Sequence, residues 1–183
     1  MNIEAVKTRI KLHEGFRLEP YTDTEGFLTG GFGHKILDGE TLPTTKEGWE
    51  ELFDKDFDRA YEGAMEIFEG KVDNIYTQGL DQNTIDVVKG VLVEMVYQLG
   101  KYGVLKFKNF LKALDEGDLS RASEEMLDSL WARQTPNRAK DLSSIISELD
   151  NGVWEMGWNL KPPPDKIDKA ILFLIILFLL LQL

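Results

Sequence analysis

The chain has 183 residues, no cysteine, 43% hydrophobic residues and a formal net charge of −11. That length allows one sizeable core, or a small lobe beside a larger one, and the missing cysteines exclude a disulfide scaffold. The acidity excludes nucleic acid as an expected partner, and residues 1–15 lack the apolar run an export leader needs.

From the N-terminus, Ile3, Val6, Ile10 and, less regularly, Leu12 make an apolar stripe at near-helical spacing that ends at Glu14 and Gly15. Gly15 suits a helix C-terminus, where a positive φ is easiest for glycine. A carboxylate at that end faces the negative pole of the helix dipole, which favours its protonated form and suits a general acid. Two β-like runs follow, 16–21 and 27–32, joined by Thr22-Asp23-Thr24-Glu25-Gly26, a composition that favours a tight turn. Asp23 is therefore expected at an exposed hairpin tip, ionised, with Glu14 nearer the core. Two carboxyl groups in unlike surroundings can divide the roles of proton donor and water-activating base. The Thr29 hydroxyl can hold the attacking water. Glu14, Asp23 and Thr29 are thus what a glycosidase working without metal or cofactor requires. Taken singly, Asp23 reads as a turn former and Glu14 as a solvated helix end. Gly30, Gly31 and Gly33 tilt the reading toward chemistry, because bare backbone suits a surface that a ligand approaches.

Residues 14–34 match, without gaps, the pattern E-G-x-R-L-x-x-Y-x-D-T-E-G-x-x-T-x-G-x-G-H. Further on stand Met95-Val96-Tyr97-Gln98, followed by Gly100, and Gln134-Thr135-Pro136-Asn137-Arg138-Ala139-Lys140. On these motifs the chain resembles the phage-type lysozymes (muramidases, or endolysins), with the likeness running from the N-terminus to about residue 160. The resemblance implies a two-lobed, mainly α, α+β fold. A small hairpin lobe would occupy about 12–50, a connecting helix about 45–69, and a helical lobe about 70–160 together with the N-terminal helix. It implies Glu14 as proton donor, Asp23 as second catalytic carboxylate and Thr29 as the water-positioning group. The reaction implied is inverting hydrolysis of peptidoglycan glycan strands, with no cofactor and no metal. Tyr97 and Gln98 would line the saccharide cleft. Lys35, Phe110 and Glu125 fall at substrate-lining positions where the family's T-even branch carries other residues. Arg138 would reach back to the Glu14 carboxylate and oppose the helix-end effect, and the sequence leaves open which prevails. Asp56 would pair with His34 to stabilise the fold rather than to take part in chemistry.

Residues 35–44 read as a loop broken by Asp38-Gly39 and Pro43. Thr45 then caps a long helix whose stripe is Trp49, Leu52, Phe53, Phe57, Tyr61 and Ala64. Residues 72–79 are a connection. Asp81 caps a helix that runs to Gly100 and is apolar nearly all round, as a buried spine would be. Short helices are expected over 107–114 and 119–130, and Thr135-Pro136 signals the start of another.

Beyond residue 160, Lys161-Pro162-Pro163-Pro164 opens a stiff linker over 161–169. A hydrophobic tail, 170–183, follows and is expected to form an added apolar helix capped by Asp165. Its unbroken apolar run, 170–181, makes about 18 Å of helix against a hydrocarbon core of roughly 30 Å. Membrane anchoring, self-association and docking in a phage assembly all stay open for it.

Acidity departs from the commonly basic phage enzymes, since it gives no long-range attraction to an anionic wall polymer. Salt would screen that field, and solubility alone is the simpler account. Without a leader, such an enzyme is expected in the host cytoplasm before lysis and then at the wall, reached through holin lesions or by virion delivery. Two functions compete at this point: a muramidase that lyses bacteria, and a lysozyme fold reused as a membrane-anchored or virion-associated structural part. Loss of Glu14, Asp23 or Thr29 would favour the second, and none is lost.

Overall fold

The computed structural model describes residues 1–23 and 26–150. The proline linker and the apolar tail lie outside the described residues. Helix α1 spans Ile3–Glu14, and Asn2 caps it by accepting from the Ala5 N–H at 3.1 Å. Its buried stripe is Ala5, Val6, Arg9 and Ile10. Ile3 and Leu12 stay exposed, and the charged Arg9 takes a core position instead. Gly15, at φ 69°, ends the helix by donating to the Lys11 carbonyl.

An antiparallel sheet follows in the order β1 (Arg17–Thr22), β2 (Leu28–Gly31) and β3 (His34–Lys35). Thr29 faces Tyr21 on one side and Lys35 on the other. Strand β3 was expected as the start of a loop. At two residues it is too short to carry a period of its own. Gly30 and Gly31 serve a different purpose from the one read in the sequence. A Cβ on Gly30 or Gly31 would fall 2.6 or 2.4 Å from the Trp49 ring, so those two positions admit close packing of the sheet on a buried indole. The Trp49 Nε1–H donates to the Leu18 carbonyl at 3.1 Å and fixes that ring.

Helix α2 (Lys46–Lys71) is capped by Thr45, whose hydroxyl accepts from the Gly48 N–H at 3.2 Å. It carries Trp49 against the sheet and Phe53, Phe57, Ala64, Ile67 and Phe68 into the helical core. A 3-10 turn (Asp73–Thr77) leads to α3 (Gln82–Val104), capped by Asp81. Helix α3 is mostly buried from Thr84 to Val96, as an all-round apolar stretch must be, and opens to solvent toward its C-terminal end. The expected stop at Gly100 is a kink, φ 69° and ψ 160°, after which one more turn runs to Val104.

The lobe is completed by α4 (Lys108–Asp115), α5 (Leu119–Leu127), α6 (Leu130–Gln134) and α7 (Pro136–Asp150). One helix over 119–130 was expected. The chain breaks at Asp128 because Ser129 restarts it, its hydroxyl accepting from the Ala132 N–H at 3.0 Å. The Thr135 carbonyl opens α7 by accepting from the Ala139 N–H, while its hydroxyl turns back to the Trp131 carbonyl at 3.1 Å. The molecule is thus mainly helical with a small antiparallel sheet. Among the described residues, no helix is long and apolar enough to cross a membrane.

Candidate active site

The last residue of α1, Glu14, carries the first carboxylate of the site. The Arg138 Nη2 donates to Glu14 Oε1 at 2.9 Å, with the two side chains 7% and 20% exposed. Arg138 lies in the first turn of α7, so this bond ties the end of α1 to the start of α7. On the other side, Gly33 (φ 80°) brings bare backbone against the carboxylate. A Cβ there would sit 2.7 Å from Glu14 Oε2. Of the hairpin glycines, this is the one whose bareness serves the site.

Asp23 follows the end of β1 and organises the turn. Its Oδ1 accepts from the Phe27 N–H at 2.8 Å, and its backbone N–H donates to the Phe27 carbonyl at 2.8 Å. Its Oδ2 accepts from the Thr29 hydroxyl at 3.3 Å, which also reaches the Phe27 carbonyl at 3.3 Å. Thr29 is buried and Asp23 half-buried, so the aspartate is less exposed than a free hairpin tip would be. Glu14, Asp23 and Thr29 open together into a cleft of about 900 Å³ between the sheet and the helical lobe.

Lys35, Tyr97 and Gln98 line the same cleft. The Lys35 ammonium stands 4.2 Å from the Phe27 ring centroid. Gln98 Oε1 accepts from the Trp131 Nε1–H at 2.9 Å, and the Tyr97 hydroxyl donates to the Phe32 carbonyl at 2.8 Å. The structure does not bring Phe110 and Glu125 into this cleft. They line a second pocket of about 590 Å³ beside Trp131, where the Phe110 ring is buried next to Phe107. Among the described residues no group of His, Cys, Asp and Glu is arranged to hold a metal ion.

His34 bonds Asp56 through Nδ1 at 2.7 Å and Glu40 through Nε2 at 3.1 Å. The Asp56 bond raises the His34 pKa above its ordinary value, burial opposes it, and Glu40 adds to the rise. Glu40 is pulled below the carboxylate range, first by the Leu37 N–H and then by His34. Sequence reasoning missed Glu40. The Asp38-Gly39 turn, which folds it back over His34, was its one local signal.

Comparison with known proteins agrees with this geometry. The sequence model described as phage lysozyme matches residues 11–145. The chain is 31% identical over 167 residues to probable T4-type lysozyme 1 of Dictyostelium discoideum, covering 79% of this chain and 94% of that protein. It is 28% identical over 149 residues to the endolysin of Salmonella phage P22, covering 74% of this chain and 94% of that one. It is also 28% identical over 169 residues to the pre-baseplate central spike protein Gp5 of Enterobacteria phage T4, covering 84% of this chain but 29% of that protein. A match across most of the chain, with the motif carboxylates gathered on one cleft, places this protein in the phage lysozyme family, whose members are glycoside hydrolases acting on peptidoglycan.

Proposed function

We propose that the chain is a muramidase that cleaves the β-1,4 bond between N-acetylmuramic acid and N-acetylglucosamine, and that it serves bacterial lysis. The observation that carries this reading is the cleft that joins Glu14, Asp23 and Thr29. Glu14 protonates the leaving oxygen. Its Oε1 is occupied by Arg138, and Gly33 crowds its other oxygen, so the proton is delivered from a fixed direction. Asp23 and Thr29, already bonded to each other, hold and activate the water on the opposite ring face. Direct displacement inverts the anomeric centre and calls for carboxyl groups about 6.5–9.5 Å apart, leaving room for that water. Lys35, Tyr97 and Gln98 contact the glycan at the cleft. Phe110 and Glu125, on the neighbouring pocket, contact a more distant part of the same polymer. No metal or organic cofactor takes part.

The test is turbidity clearing of purified cell walls, with the anomer of the first product read by proton NMR. Clearing with inverted product supports the reading, and intact walls reject it.

His34, Asp56 and Glu40 stabilise the sheet rather than act on substrate. A raised folded pKa places the stabilisation fully below the ordinary histidine value of about 6.5, and it is lost as pH rises through the folded value. His34→Asn is therefore expected to lower the melting temperature most at pH 5 to 6 and progressively less at higher pH. Specific activity of the folded variant should stay close to the parent's. A variant that melts normally but does not cleave would reverse this assignment.

A second reading rests on the likeness to the phage T4 spike protein, of which the chain matches 29% of the length. In it the fold works as a virion part or at a membrane, held there by residues 170–183 through docking, lipid or self-association. Deleting residues 161–183 separates the two readings. Unchanged wall clearing with association also unchanged favours the free lysin, and loss of virion or lipid association favours the second reading.

A further inference from the structure

We infer that Tyr97 is a positioning residue, whose hydroxyl holds the Phe32–Gly33 backbone against the Glu14 carboxylate. This rests on the reading of Glu14 as proton donor. The ring belongs to α3 and the carbonyl it bonds, at 2.8 Å, lies just past β2, so one phenol joins the helical lobe to the sheet. Phe32 is held from its other end too, its ring 5.0 Å from Phe16 and 5.4 Å from Phe53, centroid to centroid. Phe53 in turn packs on the Tyr97 ring at 5.6 Å. With both side chain and carbonyl anchored, Phe32 leaves Gly33 little freedom. Gly33 is the residue that would clash with Glu14 Oε2 if it bore a Cβ, at 2.7 Å.

The chain of contact therefore runs from Tyr97 through Phe32 and Gly33 to Glu14. Arg138 fixes one carboxylate oxygen and this backbone wall limits the other. Burial raises the Tyr97 pKa above its ordinary value, so the phenol remains a donor across the working pH range. The bond requires the hydroxyl. Sugar contact by the same ring, which also lines the cleft, requires only the ring.

Tyr97→Phe separates the two functions, because it keeps the ring and its packing and removes one oxygen. The full chain and this variant are compared in kcat and KM on soluble peptidoglycan fragments, and in amide exchange at Gly33 and His34. The expected result is a fall in kcat of about tenfold with KM within about twofold, and faster exchange at both amides. Tyr97→Leu should add a rise in KM as the ring is lost. Unchanged kcat in Tyr97→Phe overturns the inference, whether or not exchange accelerates. If the parent chain itself fails to cleave, the muramidase reading fails, and exchange alone then decides the contact. Faster exchange sustains the backbone latch, and unchanged exchange removes it.

Discussion

Replacing Glu14 with glutamine is expected to reduce wall cleavage by at least roughly a hundredfold while leaving the fold intact. The substitution changes one atom. The amide oxygen can still accept from Arg138 Nη2, where the carboxylate now does at 2.9 Å, and the amide nitrogen fits the space beside Gly33. Shape is kept and the transferable proton is removed. Arg138, 7% exposed, loses its ionic partner in the variant, so a modest fall in melting temperature accompanies the loss of turnover. Asp23→Asn should be similarly severe for a complementary reason. Its side chain can still accept from Phe27 and keep the turn, but it no longer removes a proton from water. Both variants are measured by initial cleavage rate beside a melting curve. Near-parent turnover in a normally folded Glu14→Gln protein rejects Glu14 as proton donor.

The largest stability effect is expected from Glu94→Ala, a substitution in the core. Glu94 is fully buried on α3 and its Oε1 accepts from Arg9 Nε at 2.6 Å. Arg9 also pairs with Asp141, and His13 Nε2 lies 3.1 Å from Asp141 and 3.7 Å from Glu94 Oε2. Burial works against charge here. For Arg9 it is outweighed by Glu94 and Asp141, and for Asp141 by the His13 bond and by Arg9, so both groups stay ionised. Taking Glu94 out leaves a guanidinium in the core with one of its two anions gone, and breaking a buried pair in this way costs about 3–5 kcal/mol. For a chain of this size that corresponds to roughly 10 °C in melting temperature. A pair such as Lys101–Glu66, with its side chains 36% and 62% exposed, should cost far less when broken. Because the Asp141 pKa is depressed, its share of the stabilisation is present above the ordinary carboxylate value near ~3.9 and disappears as pH falls through the lower folded value. The check is thermal melting of Glu94→Ala against the parent at neutral pH. A shift under about 2 °C would contradict the role given to this cluster.

Much of the architecture was legible because it depends on local periodicity. The stripes of α2 and α3, the Thr45 and Asp81 caps and the glycine after Glu14 are short-range signals, and the structure carries them out. The arrangement of Glu14, Asp23 and Thr29 was legible for a related reason, since all three stand within 16 positions on one helix end and one hairpin. What the sequence hid depends on residues far apart. Glu94 interrupts an apolar run as a surface residue does, and its partner Arg9 stands 85 positions away. Arg9 takes a core place on α1 while Ile3 and Leu12, which the stripe assigned to the core, stay exposed, and the anions Glu94 and Asp141 explain it. The same limit applies to Gly30 and Gly31. Their bareness answers to Trp49 on another helix rather than to a ligand. Tyr97 offered the sequence an aromatic ring, but the partner of its hydroxyl, Phe32, is 65 positions away.

Which bond the protein cleaves is read from the new chain ends that it makes. Purified peptidoglycan is digested with the full-length chain, the fresh reducing ends are trapped with borodeuteride, and the labelled sugar is identified by mass spectrometry. A muramidase leaves label on muramic acid alone, absent when Glu14→Gln replaces the parent. Label on glucosamine, or a parent digest with no new reducing ends, would contradict the muramidase reading.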